Sequence, residues 1–367
     1  MRHSSLKHFE NGWMRGTWAA TSDIVGWLGK NMTRAHAMPL SITYTEYSTS
    51  LSASTSNYAG CVVAQNGKVY FAPSYETRIG EFDPTTNTFG FSASGSSVGG
   101  TAQRYWGGVL GANGKVYFIP YTHSDICIYD PVTDTFSKVF ISNVVQKYVG
   151  GCLINNNTIL MAPNNETNIG LFDTSTNTFT SGPALTGCSG AVLLPTNEVL
   201  MPRSSGTDAI YNIGTGGVRY SANHGSYATF SPTMTPSGKI AMPPNAASLM
   251  NIYDPHSDKT SSISLSATVD FGGACVMADG RIFCYPMSPR VGVGANIIYL
   301  VDTVTCSYET VTTAAAGNNF NWWGSCLVSD GRIVLAPYQL NKISVLDFGH
   351  GNIGVANVIH PLVNKSP

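Results

Sequence analysis

One phrase recurs along this chain, and its spacing constrains the fold more than any other feature. The stretch NGKVYFAPSYETRIGEFDPTTNTF at residues 66–89 returns as NGKVYFIPYTHSDICIYDPVTDTF at 113–136 and as NNTILMAPNNETNIGLFDTSTNTF at 156–179. Four weaker copies begin at Asn197, Gly238, Gly280 and Gly331. The proline that ends the second apolar run recurs at intervals of 39 to 51 residues, at Pro73, Pro120, Pro163, Pro202, Pro244, Pro286 and Pro337. Such a period indicates a repeat architecture.

Each copy of the phrase divides into four short strands. In the first copy these are AGCVVAQ, KVYFAP, RIGEFDP and NTFGFS. A tight turn of the NG, DG or SG type joins the first strand to the second, which is a strong hairpin signal. An Asp-initiated turn, D-P-x-T-x-T in the best copies, joins the third to the fourth. Four strands in about 40 residues predict a propeller blade. We therefore predict an all-β chain, a seven-bladed β-propeller of four-stranded antiparallel blades over residues 41–367.

Aligned columns of residues support this prediction. Seven residues before the turn glycine stand Gly60, Gly107, Gly150, Gly190, Ser231, Gly273 and Gly324. Small residues are expected where the innermost strands crowd a central axis. Cys152, Cys275 and Cys326 share a β-branched or thiol column two positions later, and Cys61 lies in the small column between, so we interpret these cysteines as buried apolar residues.

Two further columns contain side chains that invite a catalytic interpretation. The third strand ends at Asp83, Asp130, Asp173, Asn212, Asp254, Asp302 and Asp347. One carboxylate at the same turn of nearly every copy favours turn formation over catalysis. The aromatic column contains Tyr58, Tyr105, Tyr148, Phe271 and Trp322, which we expect to wedge between neighbouring blades.

The paired glycines at the start of each copy resemble the kelch family, and the copy length agrees with it. The resemblance covers residues 59–350 at the level of architecture, without the spaced Tyr and Trp signatures of kelch blades. The form G-K-[VI]-Y-x-x-P…D-P-x-T-x-T also resembles divergent propeller repeats of viral and microbial genomes.

Two segments compete to complete the last blade. Ile353 lies six residues after Asp347, the spacing that separates Phe89 from Asp83, so residues 352–359 fit as a fourth strand. Residues 41–48, SITYTEYS, also alternate like a strand and would close the ring from the N-terminal side. Spacing favours the C-terminal segment.

Variable loops indicate where a ligand would bind. The turns on one face of the predicted propeller are short and uniform, whereas the loops between second and third strands and between blades vary in length. Binding residues are frequent on variable loops of a rigid scaffold. Near blades six, seven and two the candidates are Arg104, Trp106, Arg290, Asn318, Asn319, Asn321, Trp323 and Tyr338. Aromatic, Asn and Arg side chains suit a sugar or a protein surface. The alternative is that Trp106 and Trp323 only pack.

Residues 1–40 belong to no copy of the repeat and are predicted to form a short, partly helical N-terminal arm. The arm has a net charge of +3 and contains Trp13, Trp18 and Trp27, which suggests docking onto other subunits. A lid over one end of the propeller is the alternative. The arm has too few basic residues to favour binding to a membrane surface. The whole chain has a net charge of −1, which argues against nucleic-acid binding. It has neither an apolar transmembrane run nor a standard signal peptide.

These features favour a non-enzymatic interaction protein with no cofactor and no metal. Low charge and richness in Ser, Thr, Asn and Gly resemble bacteriophage tail and fibre proteins. The resemblance implies a virion component that docks through its arm and presents loops to a host glycan, a host protein or a neighbouring subunit. Cytoplasmic location, or export without a standard signal, is the alternative.

The competing hypothesis is a propeller enzyme, a lyase or a glycosidase, with a metal or acid–base site on the loop face. No P-loop, GxSxG, HExxH or Rossmann pattern is present, and no CxxC pair. Some propellers, such as the streptogramin lyases, hold a metal with loop-face His and Glu. His123, Glu166 and His224 are the residues that could converge in that way here.

Overall fold

The computed structural model describes residues 42–53, 55–100, 102–204, 206–221, 229, 231–286, 297–312 and 322–349. Within these ranges regular structure is almost entirely β, apart from one 3-10 turn at Ala93–Gly95. No helix in this part of the chain is long and apolar enough to cross a membrane. The predicted arm lies outside the described residues, so its boundary at residue 40 stays a prediction.

The strands follow one another as the repeat predicts. In chain order the first thirteen are β1 (Thr43–Ser48), β2 (Tyr58–Val63), β3 (Val69–Pro73), β4 (Gly80–Asp83), β5 (Thr88–Phe91), β6 (Tyr105–Leu110), β7 (Val116–Pro120), β8 (Asp125–Asp130), β9 (Thr135–Phe140), β10 (Tyr148–Leu153), β11 (Thr158–Pro163), β12 (Asn168–Asp173) and β13 (Thr178–Ala184). The rest are β14 (Val192–Leu193), β15 (Glu198–Met201), β16 (Ala209–Asn212), β17 (Val218–Tyr220), β18 (Thr233–Met234), β19 (Ile240–Met242), β20 (Asn245–Asp254), β21 (Lys259–Val276), β22 (Ile282–Pro286), β23 (Ile297–Asp302), β24 (Ser307–Thr312), β25 (Trp322–Leu327), β26 (Ile333–Pro337) and β27 (Lys342–Asp347).

Antiparallel pairing groups these strands into sheets. Strands β2–β5, β6–β9, β10–β13 and β14–β17 form four separate four-stranded sheets, each in chain order. Strands β18–β24 form one seven-stranded sheet, because the long strand β21 pairs with β20 through its first half and with β22 through its second. The inner strands β2, β6, β10, β14, β18, β21 and β25 contact one another in a closed ring. The all-β propeller architecture is confirmed, whereas the count of seven blades stays a prediction because two sets share β21.

The last sheet is closed from the N-terminal side. Its order is β1-β27-β26-β25, and β1 pairs with β27 from Thr43↔Asp347 to Ser48↔Lys342. The preference for residues 352–359 was therefore wrong. Spacing from the Asp turn contains no information about the packing of β1: Tyr44 contacts Trp322 and Tyr47 contacts Phe82 of the first sheet, with ring centroids 6.3 and 5.5 Å apart.

The glycine column has a conformational cause that the sequence did not reveal. Register shifts interrupt the pairing of the innermost strand between Tyr58 and Cys61, and equivalent bulges occur in β6, β10 and β25. In these bulges Gly60, Gly107, Gly150 and Gly324 have φ of 111°, 84°, 67° and 115°. Bulges with positive φ favour glycine. Crowding contributes as well, since a Cβ on Gly324 would lie 2.5 Å from the Cα of Gly60.

The aromatic column forms the wedges that the sequence predicted. Tyr58, Tyr105, Tyr148, Phe271 and Trp322 are at most 1% exposed, and each lies in an apolar cluster shared with the preceding sheet. A small residue on the third strand accommodates the ring, since a Cβ on Gly80 would lie 2.7 Å from the Tyr58 ring. The cysteines of the inner columns are buried and free, as interpreted.

The Asp column forms turns. The Oδ1 atom of Asp83 accepts a hydrogen bond from the Thr85 N–H at 2.8 Å, and Asp130, Asp173, Asn212, Asp254, Asp302 and Asp347 accept the equivalent bond two residues on. The repeated carboxylates are therefore structural, and one face of the propeller consists of uniform turns. The opposite face, where the second-to-third loops and the inter-blade connections emerge, is called the loop face below.

Candidate functional site

A chain of backbone hydrogen bonds runs around the described part of the loop face. Two positions alternate along the chain of bonds: the residue just before the aromatic wedge or its equivalent, and the residue after the proline that ends the second strand. The first donates its N–H to the carbonyl of the second position in the preceding sheet. Its carbonyl accepts from the N–H of the second position in its own sheet. The bonds are Asn57→Tyr338, Ser74→Asn57, Arg104→Ser74, Tyr121→Arg104, Lys147→Tyr121, Asn164→Lys147, Gly187→Asn164 and Ser204→Gly187, at 2.7–3.3 Å. This belt holds the loops from the last sheet to the fourth in a fixed arrangement.

Side chains at the same position reinforce the belt. Asn57 donates to the carbonyls of Ser52 and Leu340 at 2.7 and 3.0 Å. Arg104 and Lys147 occupy the equivalent places in the second and third sheets. All three side chains are buried, and each donates to carbonyls of the loop beside it.

Arg104 shows how such a cation is accommodated. Its guanidinium donates to the carbonyl oxygens of Ser74, Tyr75, Gly99 and Gly100 at 2.5–3.1 Å, and the residue is only 6% exposed. Burial lowers the pKa of the guanidinium from its ordinary value. Four of its five N–H groups are therefore engaged within the protein, and a direct role in ligand binding stays a prediction.

Lys147 is a second buried cation of the loop face. Its side chain is fully buried, and Nζ donates to the carbonyls of His123 at 2.7 Å and Tyr121 at 3.3 Å. Burial lowers the pKa of the amine to about 8, although the charges of Glu166 and Asp125 oppose that change. Lys147 was not among the site residues predicted from the sequence, and the signal that could have identified it is a polar residue directly before the aromatic wedge.

Two glutamates at equivalent loop positions differ in their partners. Glu76 in the first sheet accepts from Nε and an Nη of Arg78, at 2.7 and 2.9 Å, and from two backbone N–H groups. Glu166 stands at the same place in the third sheet, but Asn168 replaces the arginine. One carboxylate oxygen of Glu166, Oε1, is shielded from solvent and has no hydrogen-bond partner. An unpaired buried carboxylate oxygen is costly, and such groups cluster at functional sites.

His123 takes the corresponding position in the second sheet. Its ring stacks on Tyr105 with centroids 5.2 Å apart, and its Nδ1 accepts from the N–H of Asp125 at 3.1 Å. Burial lowers the pKa of this imidazole, and the neighbouring Lys138 charge acts in the same direction. Both His123 and Glu166 therefore lie beside Lys147, while His224 lies outside the described residues. In the described ranges no three His, Cys, Asp or Glu side chains converge closely enough to hold a metal ion.

Three of the predicted binding residues converge near the axis of the loop face. Trp106 and Trp323 meet edge to face with ring centroids 4.7 Å apart. Tyr121 packs on Trp106 at 4.6 Å, and Tyr338 packs on Trp323 at 5.2 Å. Ala59 completes this cluster with Val149, and the small alanine side chain leaves room for the two indoles to meet. We call Trp106, Tyr121, Trp323, Tyr338 and Tyr75 the aromatic mouth.

The accessible part of the aromatic mouth consists of tyrosine. Trp106, Trp323 and Tyr338 are only 7–9% exposed, whereas Tyr75 is 43% exposed. Burial raises the pKa of Tyr338, a hydrogen bond with the Ser56 hydroxyl lowers it, and the nearby Tyr75 hydroxyl raises it. Burial, and then the Tyr338 hydroxyl, raise the pKa of Tyr121. The Tyr338 hydroxyl therefore lies near those of Tyr75 and Tyr121, and Tyr121 and Tyr338 stay protonated at neutral pH.

Tyr75 and Tyr121 were not among the predicted site residues, although the sequence contains their signal. In three consecutive sheets around the ring a tyrosine follows the strand-ending proline, as APYQ, APSYE and IPYT. The remaining candidates, Arg290, Asn318, Asn319 and Asn321, lie outside the described residues. So do Trp13, Trp18 and Trp27 of the predicted docking arm, and their roles stay predictions.

Comparison with known proteins supports the fold. No protein-family model matches the sequence, and no curated protein matches it significantly. Among solved structures, a streptogramin B lyase superposes with a TM-score of 0.71 at 14% identity, covering 84% of this chain and 98% of that one. Virginiamycin B lyase from Staphylococcus aureus gives 0.70 at 13% identity, covering 83% and 99%. The extracellular domain of a putative one-component system from B. thetaiotaomicron gives 0.64 at 11% identity, covering 83% of this chain and 40% of that one.

These similarities correct one expectation from the sequence. The prediction of a non-enzymatic protein is contradicted, because the similar structures of nearly equal length are lyases. The kelch and bacteriophage resemblances gain no support from the comparisons. At 11–14% identity the likeness establishes the fold alone. The chain has a β-propeller fold that in other proteins supports both an enzyme and an extracellular domain.

Proposed function

We propose that this chain recognises carbohydrate through the aromatic mouth at the axial end of its loop face. One observation carries the proposal: four aromatic side chains, Trp106, Tyr121, Trp323 and Tyr338, converge there, and the exposed Tyr75 lies near Tyr338. Aromatic rings present flat apolar faces to ligands, and phenolic hydroxyls add hydrogen bonds. The belt of backbone hydrogen bonds keeps these rings in place before the ligand arrives, which lowers the ordering cost of binding.

Binding of the full chain to an array of oligosaccharides tests this proposal. Tyr75→Ala is the informative variant, since Tyr75 is the exposed ring of the mouth. Tyr220→Ala is its matched control, since Tyr220 is 53% exposed but lies on the outer strand β17 beside Arg203. We expect Tyr75→Ala to weaken binding about tenfold and Tyr220→Ala to leave it unchanged. Equal affinity of both variants, or no binding to any sugar, would refute the proposal.

Lyase activity is a second candidate, favoured by the similarity of the fold to lyases. Lys147 is its test residue: the amine is buried and has a pKa of about 8, so it would influence a reaction on the loop face through its charge, without contacting the substrate. Two similar folds are lyases, one of which acts on virginiamycin B. Incubation of the chain with virginiamycin B, followed by liquid chromatography, tests the candidate, and Lys147→Met is the control. Conversion that the Lys147→Met variant retains would remove Lys147 from the mechanism, and absence of conversion would remove this substrate.

Docking through residues 1–40 and a place in a virion remain separate proposals. They are supported by the positive charge of the arm and its three tryptophans. A chain lacking residues 1–40 should keep its affinity for sugar and lose association with its assembly partners. Retained association in a pull-down from the native source would contradict the docking proposal.

A further inference from the structure

We propose that the ligand of the aromatic mouth is an acidic sugar, whose carboxylate is held by the tyrosine hydroxyls above two buried cations. The inference rests on the proposed carbohydrate function and adds the charge of the ligand to it. Three independent features lead to it: the placement of the cations, the balance of charge around them, and the type of donor that the mouth presents.

The two cations lie directly beside the aromatic mouth. Arg104 is two residues before Trp106 in the chain, and its guanidinium donates to the carbonyl oxygen of Tyr75 at 3.1 Å. Lys147 Nζ donates to the carbonyl oxygen of Tyr121. Both cations therefore hold the backbone of the two accessible tyrosines. Neither side chain is itself exposed enough to touch a ligand, so each acts through its charge and through the tyrosine that it positions.

No carboxylate of the described residues lies within ion-pair distance of either cation. The ion pair of the described loop face in this region is Glu76 with Arg78; Asp125 lies 3.7 Å from Nδ1 of His123, whose lowered pKa keeps the imidazole neutral near pH 7. Buried charges are normally paired, and carbonyl dipoles replace the missing carboxylate here.

The surrounding charge is positive as well. The cations of this region are Arg78, Arg104, Lys138 and Lys147, and the carboxylates are Glu76, Asp125 and Glu166. These groups sum to a net charge of +1, and a net positive charge raises the local concentration of anionic ligands. A bound carboxylate would thus balance the net charge of the region, whereas a neutral sugar would leave it at +1.

The hydroxyls of the mouth suit a carboxylate. Tyr75 and Tyr121 present phenolic O–H groups from two neighbouring sheets, Tyr338 lies behind them with its hydroxyl bonded to Ser56, and burial keeps Tyr121 protonated. A protonated phenol donates a hydrogen bond, and hydrogen bonds to an ionised acceptor are about twice as strong as neutral ones. A carboxylate has two oxygens and accepts several such bonds. A hydroxyl group of a neutral sugar has one oxygen and no charge, so it would accept fewer and weaker hydrogen bonds from the same phenols.

Two matched pairs of probes test the charge of the ligand. The first pair is an oligogalacturonate and its methyl ester, which differ only in the charge of the carboxyl groups. The second is sialyllactose and lactose, which distinguishes a sialic acid source from a uronic acid source. Isothermal titration of the full chain should give an affinity about tenfold higher for at least one acid than for its neutral partner. That preference should fall as salt is raised from about 50 to about 500 mM.

Lys147→Met separates the charge from the fold. This variant should weaken binding of the acid about threefold to tenfold more than binding of the neutral partner. A purely structural role of Lys147 would weaken both alike. If Lys147→Met fails to fold, the matched probes and the salt dependence of the wild-type chain still decide the question.

Each outcome has a definite meaning. Equal affinity within both pairs, or a salt-independent preference, overturns the acidic-sugar inference and leaves the carbohydrate proposal standing. Binding only of neutral sugars does the same. Failure of every sugar, acidic and neutral, removes the carbohydrate proposal itself.

Discussion

Lys147 makes a quantitative prediction about stability and pH. Its amine has a pKa of about 8 in the folded protein, against 10.5 for an ordinary lysine. One pKa unit corresponds to 1.36 kcal/mol, so burying this amine in charged form costs about 3 kcal/mol. Between these two pKa values the unfolded chain holds a proton that the folded protein has released. The free energy of unfolding therefore rises with pH in this window, and the cost is fully present below it.

Urea unfolding of the wild-type chain and Lys147→Met, at several pH values from about 7 to about 9.5, measures the effect. The variant loses the hydrogen bonds to the carbonyls of His123 and Tyr121, but that loss is independent of pH. It therefore changes the free energy of unfolding by the same amount at every pH. Tyrosine and cysteine ionisation in the unfolded chain destabilises both proteins alike at alkaline pH. The wild type should gain about 2 kcal/mol relative to Lys147→Met over this range. A difference that stays constant within about 0.5 kcal/mol would show that the buried, perturbed amine is wrongly assigned.

Three further predictions concern the fold. Gly324→Ala should lower the free energy of unfolding in urea by about 2 kcal/mol or more, since φ is 115° and a neighbouring Cα would lie 2.5 Å from the new Cβ. Gly90→Ala is the control and should be neutral, because no atom lies within 4 Å of its new Cβ. Equal effects of the two substitutions would contradict the bulge. Removal of residues 1–48 should lower the melting temperature far below that of a chain lacking only residues 1–41, because β1 closes the last sheet; matching melting curves would contradict this closure. With a thiol reagent, only Cys306 of the eight cysteines should react rapidly in the native protein, and all eight after denaturation; rapid reaction of a second thiol would contradict the burial.

The sequence predicted the features that repeat. Seven copies of a turn-marked unit identified the strands, the Asp turns and the aromatic wedges, because each depends on local chemistry that recurs at a fixed position. The chemistry of Asp83 is confirmed by the same hydrogen bond at six equivalent turns. Features that occur once were harder to predict. Closure by β1 depends on the packing of Tyr44 against Trp322 and of Tyr47 against Phe82, and the spacing of Ile353 contained no information about it.

The candidate site was predicted in part, for a related reason. Trp106, Trp323 and Tyr338 were chosen because they differ between copies, and the fold brings them together. Lys147 was missed because a lone lysine in a variable loop is normally exposed and solvated. Its burial depends on carbonyl groups of the neighbouring sheet, which no pattern in one copy reveals. Tyr75 was missed because the pattern that identifies it, a tyrosine after the strand-ending proline, is recognised only when three successive sheets are compared.

Fluorine NMR of the full chain labelled with 5-fluorotryptophan tests the central claim, that a ligand binds at the aromatic mouth. Trp→Phe variants assign the signals of the six tryptophans. Trp106 and Trp323 lie under the accessible tyrosines, whereas Trp322 is a fully buried wedge that bonds Ser344 through Nε1 at 2.9 Å. On titration with oligogalacturonate, the account predicts shifts of Trp106 and Trp323 and none of Trp322. Saturable binding that moves only Trp13, Trp18 or Trp27, and leaves Trp106 and Trp323 unchanged, would contradict it.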